Sequence, residues 1–318
     1  MNIVELINNA QDIAIISHIN MDGDAIGSSL ALMFALKKIG KKVTTYIEEE
    51  VPLRFDFLKD TDDLVYYTED MDVSKHDLLI VVDVADRNLL GNRAKLLDKI
   101  PNSIAIDHHA LHYNYANNIW VNKKAAAAGE LIFELLQKMN IPLDYEIATC
   151  LYVAITTDTG RFKFNNTTKR THEIAGELIT YGVKTSELTN KLFDESTKER
   201  TMLIAKTIET LEMFENGKIA VMIITRDMMK ETNAKDSEQD GIIDYVTNIC
   251  GVEIGILIKE KENGALRASL RSKTYIDVSK IANNFGGGGH KMASGCGFDG
   301  DINEFKAKLV EYARRELK

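Results

Sequence analysis

The sequence predicts an α/β chain built from two domains, and three observations carry that expectation. Short apolar strand candidates, DIAIIS at 12–17, VTTYI at 43–47, DLLIVVD at 77–83 and SIAI at 103–106, alternate with helical stretches through the first half. A mainly helical middle runs from about 128 to 213. Asn216-Gly217 then punctuates the chain, and a new strand and helix pattern begins.

Each element has its own warrant. The near-continuous apolar run LLIVV suits a parallel strand buried on both faces. Between the first two strands, residues 25–39 read as a helix ended by Gly40, with Leu30, Met33, Phe34 and Leu36 on an apolar face. Further helices are predicted near 129–139, 145–157, 169–181, 185–193 and 198–213. After Asn216 come a strand at 218–224, a helix around 240–249, a hairpin pairing 253–259 with 265–271, and a closing helix over 303–316. The predicted organisation is a first domain over 1–190 with a mainly parallel sheet flanked by helices, a linker helix within 191–215, and a smaller α/β domain over 216–318.

Composition narrows the function classes. The chain has 318 residues, 45% hydrophobic and 27% charged, which is globular rather than disordered. A net charge of −9 argues against a protein that coats duplex DNA, which needs broad basic surface. Cys150, Cys250 and Cys296 are too widely spaced for a CxxC site, and an odd count fits no disulfide framework, so a cytoplasmic setting is expected. Glu5 stands where a secretion signal would carry positive charge, and no apolar run is long enough to span a membrane.

Four acidic clusters follow strand or helix ends. His18, Asp22 and Asp24 lie in HINMDGDAIGS after the first strand, where open α/β sheets gather functional groups. A helix cap alone would explain an aspartate there, but not two with a histidine. Asp83 terminates LLIVVD, with Asp86 and Arg87 following; Arg87 reads as a phosphate contact or, slightly favoured, a surface ion pair. Asp107-His108-His109 ends another strand. Adjacent side chains diverge, so one of His108 and His109 is expected to reach the metals and its neighbour the substrate, with Asp107 orienting an imidazole. Asp158, in TTDTG, closes an apolar helix. Four carboxylates and two imidazoles without thiolate suit two divalent ions, manganese before calcium or structural zinc, with magnesium or cobalt as substitutes. Two such ions activate water for phosphoester hydrolysis.

The far end carries an anion signal. Arg267, Ser269 and Arg271 alternate along one strand and share a face. Gly286 to Gly289, with His290 and Lys291, form a glycine-rich stretch whose amides can approach an anion; Gly287, Gly288, Gly289 and His290 are the residues assigned. A hinge is the bland alternative. Between Lys259 and Lys291 there are seven basic residues against three acidic ones, a local excess inside an acidic chain.

With HINMDGDAIGS, LLIVVD, IDHH and TDTG in order, and RASLRS with GGGGHKMASG near the end, the sequence resembles the DHH phosphoesterase superfamily with a C-terminal DHHA1 domain, over nearly the whole chain. The compact two-domain form is most similar to enzymes that degrade nanoRNA and dephosphorylate 3′-phosphoadenosine 5′-phosphate (pAp). The resemblance implies that His18, Asp22 and Asp83 hold one ion and Asp24, Asp83, His108 and Asp158 the other. His109 would touch the scissile phosphate, and Arg267, Ser269, Arg271, Gly288 and His290 the distal nucleotide. It also implies a homodimer formed through the middle helices. Met21 in place of proline, the run Ala125 to Ala128 in place of small hydroxyl residues, and Lys163 in place of arginine depart from the family pattern without removing a ligand.

The expected function is therefore hydrolysis of very short RNA to 5′-mononucleotides and of pAp to AMP. Cleavage of cyclic di-AMP or of its linear product pApA is the alternative within the same chemistry, and a non-catalytic nucleotide sensor is the alternative outside it. A family II pyrophosphatase would not need the glycine-rich end, and a processive DNA exonuclease would carry a further nucleic-acid-binding domain.

Overall fold

The computed structural model describes residues 3–109 and 114–317. It resolves into two compact units, Met1–Glu195 and Ser196–Lys318.

The first unit holds strands β1 (Asp12–Ile16), β2 (Lys42–Ile47), β3 (Val65–Tyr66), β4 (Leu78–Val82), β5 (Ser103–Asp107) and β6 (Asn118–Val121). They form one parallel sheet in the order β3-β2-β1-β4-β5-β6. Every residue of β4 is buried, as a strand covered on both faces requires. β3 and β6 are short edge strands outside the predicted set.

Helices α1 (Ile3–Asn9), α2 (Gly23–Lys38), α3 (Leu96–Lys99), α4 (Ala128–Lys138), α5 (Tyr145–Asp158), α6 (Lys169–Ile179) and α7 (Thr185–Thr189) complete the unit. The large core joins Ile13, Ile15, Ile80 and Ile106 of the sheet to Leu30, Leu131, Leu151 and Ile174 on the helices. Each such fully buried side chain contributes about 1.5–3 kcal/mol. The opposite sheet face, with Ala14, Ile16, Val81 and Ala105, packs under Leu90, Leu96 and Ile100. α2 is buried along nearly its whole length rather than on one stripe, because it is sandwiched between the sheet and α4 and α5.

The strand order reverses between β1 and β4. In open α/β sheets that switch point opens a crevice at the carboxyl ends of the strands. His18 follows β1, Asp83 follows β4, and Asp107 ends β5.

The second unit begins with α8 (Lys198–Glu209) and has strands β7 (Glu212–Phe214), β8 (Ile219–Ile224), β9 (Ile254–Glu260), β10 (Leu266–Ser272), β11 (Gly288–His290) and β12 (Ala293–Phe298). Their order is β11-β12-β10-β9-β8-β7, antiparallel except for β8 beside β9. α8 ends before the predicted 213, since Glu212–Phe214 pairs with β8 instead. One face packs against α11 (Val278–Asn283) and α12 (Ile302–Glu316) through Ile256, Ala268, Leu270, Ile281, Phe305 and Leu309. The other face is covered mainly over β8 and β9, where Ala220, Met222 and Leu257 meet Leu203, Met229 and Val246 of α8, α9 (Arg226–Thr232) and α10 (Ile243–Thr247). No helix among the described residues is long and apolar enough to cross a membrane.

Candidate functional site

Asp22 caps α2, its Oδ1 accepting the N–H groups of Asp24 and Ala25 at 3.0 Å each. It also lies 3.7 Å from His18 Nε2, so the cap and the acidic cluster are the same residue. Asp24, in the first turn of the helix, is 1% exposed. Ser28 Oγ donates to its Oδ1 at 2.7 Å, and the Ala128 and Gly129 N–H groups of α4 donate to Oδ2 at 2.5 Å and Oδ1 at 3.0 Å.

Asp83 has φ +60°, a left-handed conformation that costs a non-glycine residue about 1 kcal/mol or more. Its carboxylate faces three imidazoles: His18 Nε2 at 3.7 Å, His108 Nε2 at 3.5 Å and His109 Nδ1 at 3.4 Å. His108 Nε2 also lies 3.7 Å from Asp24 and 3.5 Å from Asp158. The two adjacent histidines do not diverge; their rings sit 4.1 Å apart. The reason is local. Both the main-chain N–H and Nδ1 of His109 bond Asp107 Oδ1 at 2.9 Å, which folds the ring back over the site.

The ligand atoms of His18, Asp22 and Asp83 lie within 4.8 Å of one another, as do those of Asp24, His108 and Asp158, and those of Asp83, Asp107, His108 and His109. Whether this set fits a cation is answered by its protons. His18 Nδ1 donates to the Ile19 carbonyl at 2.7 Å and His108 Nδ1 contacts the Ala125 carbonyl at 3.3 Å, which leaves Nε2 of each neutral ring as a lone pair aimed at carboxylates. Among the described residues, Asp83 Oδ1, Asp107 Oδ2 and His108 Nε2 are buried without a hydrogen-bond partner. Lone pairs so opposed need a proton or a metal between them, and the oxygen and nitrogen donors suit a divalent ion.

The titration behaviour has the same cause. Burial, reinforced by Asp83 and Asp22, raises Asp158 to about 7. Burial and the charges of Asp83, Asp158 and Asp22 raise Asp24 as well. Burial and the neighbouring His109 lower His108, keeping it in the neutral form a metal ligand requires. Burial opposes the charge on His18, but Asp22 and Asp83 outweigh it and raise its pKa. The Asp107 carboxylate, which accepts from His109 Nδ1, and the Asp83 carboxylate beside it raise His109 to about 11.

Several supporting residues escaped the sequence reading. Asn166 Nδ2 donates to the carbonyls of Asp158 and Ala126 at 3.0 Å each, tying the end of α5 to the approach to α4. Ser28 stood inside the quoted motif, and its helical spacing of four from Asp24 was the available signal. Arg87 is a surface ion pair, its Nη2 2.6 Å from Asp98.

In the second unit, Arg267, Ser269 and Arg271 point to one face of β10 while Leu266, Ala268 and Leu270 are buried on the other. That face is the half-covered one. Opposite the three residues, β12 presents only Gly297, Gly295 and Ala293, and β11 presents Gly288 and His290. Lys259 stands across from Arg267 on β9. Burial and the charges of Lys261 and Arg271 hold Lys259 below its usual pKa, with Asp240 opposing them. Among the described residues, neither Arg267 nor Arg271 is paired with a carboxylate. The result is a shallow cationic shelf floored by small residues.

The end of the glycine run, Gly288 and Gly289, joins that shelf with His290 as an edge strand. A Cβ at Gly287 would lie 2.2 Å from the Gly295 carbonyl, and Gly289, at φ +142°, would bring one to 2.7 Å from the Ala293 carbonyl. These two glycines are needed for the close approach to β12. A Cβ at Gly288 would meet nothing closer than 3.8 Å.

The chain matches the DHH family N-terminal domain over residues 12–155 and the DHHA1 domain over residues 216–316. It is 30% identical over 309 residues, 96% of this chain and 90% of the relative, to the bifunctional oligoribonuclease and PAP phosphatase NrnA of Thermus thermophilus. It is 32% identical over 285 residues, 88% and 87% of the two chains, to a probable enzyme of the same name from Streptococcus mutans. A solved structure of an exopolyphosphatase-related protein from Bacteroides fragilis shares the fold, with a TM-score of 0.90 at 24% identity over 99% of this chain and 96% of that one. By these matches, and by the cluster of aspartates and histidines at its strand ends, the chain belongs to the DHH family of phosphoesterases and carries a DHHA1 domain as its second unit.

Proposed function

We propose that this phosphoesterase hydrolyses short oligoribonucleotides to 5′-mononucleotides and pAp to AMP, using two divalent ions, manganese by preference. One ion is assigned to His18, Asp22 and Asp83, the other to Asp24, Asp83, His108 and Asp158. The observation that carries the reading is Asp83, whose buried carboxylate faces His18 in one cluster of ligand atoms and His108 in another. Bound there, a pair of divalent ions would lower the pKa of a water and offset charge on the attacking and leaving oxygens.

The chain's own residues have distinct tasks. His109, kept protonated by its bond to Asp107 and the nearby charge of Asp83, offers its Nε2–H to a phosphoryl oxygen. Asp107 holds that imidazole in place. Arg267, Ser269 and Arg271, with Gly287, Gly288, Gly289 and His290 along the edge of the shelf, bind the part of the substrate away from the scissile bond; guanidinium groups suit phosphate bidentately. The two relatives named for oligoribonuclease and PAP phosphatase activity support this substrate class.

The test is incubation of the purified protein with Mn²⁺ and labelled two- to five-mers of RNA, and separately with pAp. Mononucleotide and AMP release are expected. No cleavage of any oligomer, with pAp also untouched, overturns the reading. Faster turnover of cyclic di-AMP or pApA than of either would move the substrate to that class.

A further inference from the structure

The aspartates of the site differ in what aims them. Asp24 is held by a hydroxyl and two main-chain amides, and Asp22 by two amides. Among the described residues, the Asp83 carboxylate meets imidazole nitrogens at 3.4 Å or more, and its Oδ1 has no hydrogen-bond partner. Its direction is therefore set by its backbone, which is in the left-handed region. That backbone is fixed on both sides. On one, the Asp83 N–H donates to the Ile106 carbonyl of β5 at 2.9 Å. On the other, the Tyr115 hydroxyl donates to the Val84 carbonyl at 2.5 Å, reaching across 31 residues of sequence. The Tyr115 ring packs against the core that contains Val84 and Leu90, so the hydroxyl is delivered by a side chain with little freedom to move.

We propose that Tyr115 is a positioning residue for Asp83. By tying the Val84 carbonyl it holds the left-handed turn that aims the shared carboxylate, and it does so from outside the four motifs. The inference rests on the reading of Asp83 as a ligand to both ions.

The variant Tyr115→Phe removes the hydroxyl and keeps the ring. Outer partners of metal ligands typically govern affinity by 10–100-fold, so Mn²⁺ affinity of the full-length protein by titration calorimetry should fall about tenfold. The Mn²⁺ concentration for half-maximal pAp hydrolysis should rise in step, while KM for pAp at saturating metal stays within about twofold. Tyr67→Phe is the control, because Tyr67 belongs to the same core and its buried hydroxyl has no partner. Its metal affinity should match wild type. Equal affinity for Tyr115→Phe and wild type, or an equal loss in both variants, overturns the proposal. If Tyr115→Phe folds poorly, Tyr115→Met, which fills similar volume without a hydroxyl, must show the same loss. A wild-type protein that binds no Mn²⁺ would instead overturn the metal reading itself.

Discussion

Asp24 Oδ2 accepts the main-chain N–H of Ala128 at 2.5 Å across 104 residues of sequence, so a carboxylate of α2 is seated on the first turn of α4. The positive end of that helix and the hydroxyl of Ser28 together hold the group facing His108.

Ser28→Ala removes one of those three donors. Loss of a hydrogen bond to a charged, buried acceptor should reduce stability by about 1–2 kcal/mol, measured by urea denaturation without metal. The Mn²⁺ requirement should rise by severalfold, and Ser28→Thr should restore part of it.

Asp83→Ala should abolish hydrolysis together with metal binding, because the proposed assignment gives this carboxylate to both ions. In the wild type, Mn²⁺ at about a hundred times its dissociation constant should add about 2.7 kcal/mol to stability. EDTA should reverse that gain in thermal melts and leave the Asp83→Ala melt unmoved. Persistent hydrolysis by the variant would contradict a two-metal mechanism.

Arg267→Ala and Arg271→Ala should each raise KM for pAp and for dinucleotides by about tenfold or more, the loss of one charge-assisted bond of about 1.5–3 kcal/mol. Melting temperature and Mn²⁺ dependence should hardly change, since neither side chain is in the core. Arg271→Lys should recover little, as an ammonium cannot grip two oxygens at once. Steady-state kinetics with each variant checks this.

Glu253 gives a pH signature in the second unit. Burial opposes its charge, but bonds from Thr274 Oγ1, the Thr274 and Tyr275 N–H groups and Ser272 Oγ prevail and hold it at about 2. Its folded pKa lies below its unfolded value, so the unfolded chain binds the proton first as pH falls. The stabilisation is full above about 4.5 and is lost progressively between about 4.5 and 2. Acid unfolding monitored by circular dichroism should show this loss, and Glu253→Gln should flatten that part of the profile while lowering stability at neutral pH.

What was legible in the sequence was whatever repeats a local pattern. LLIVVD and SIAID announce buried strands by composition, and an acid at the end of each is visible as an interruption. The alternation in LRASLRS separates buried from exposed residues without further information. What escaped depends on pairing across long distances. The helix predicted to 213 stops at Glu209, where Thr210 Oγ1 accepts the Ile223 N–H and starts β7 beside β8. The glycine run reads as a loop, yet its last residues form an edge strand, and the close approach of β12 demands glycine at 287 and 289. Tyr115 and Asn166 act on main-chain carbonyls, and nothing in their own neighbourhood reveals which ones.

The seat of Asp24 also sets how the first unit can breathe. The first amides of a helix usually lack an internal partner and exchange with solvent readily. Those of Ala128 and Gly129 are bonded to a carboxylate that is itself 1% exposed, so deuterium can reach them only when α2 and α4 part. Opening the metal-facing carboxylate and opening the helical layer are then a single event, and these two amides should exchange as slowly as the centre of the sheet rather than as the fraying end of a helix.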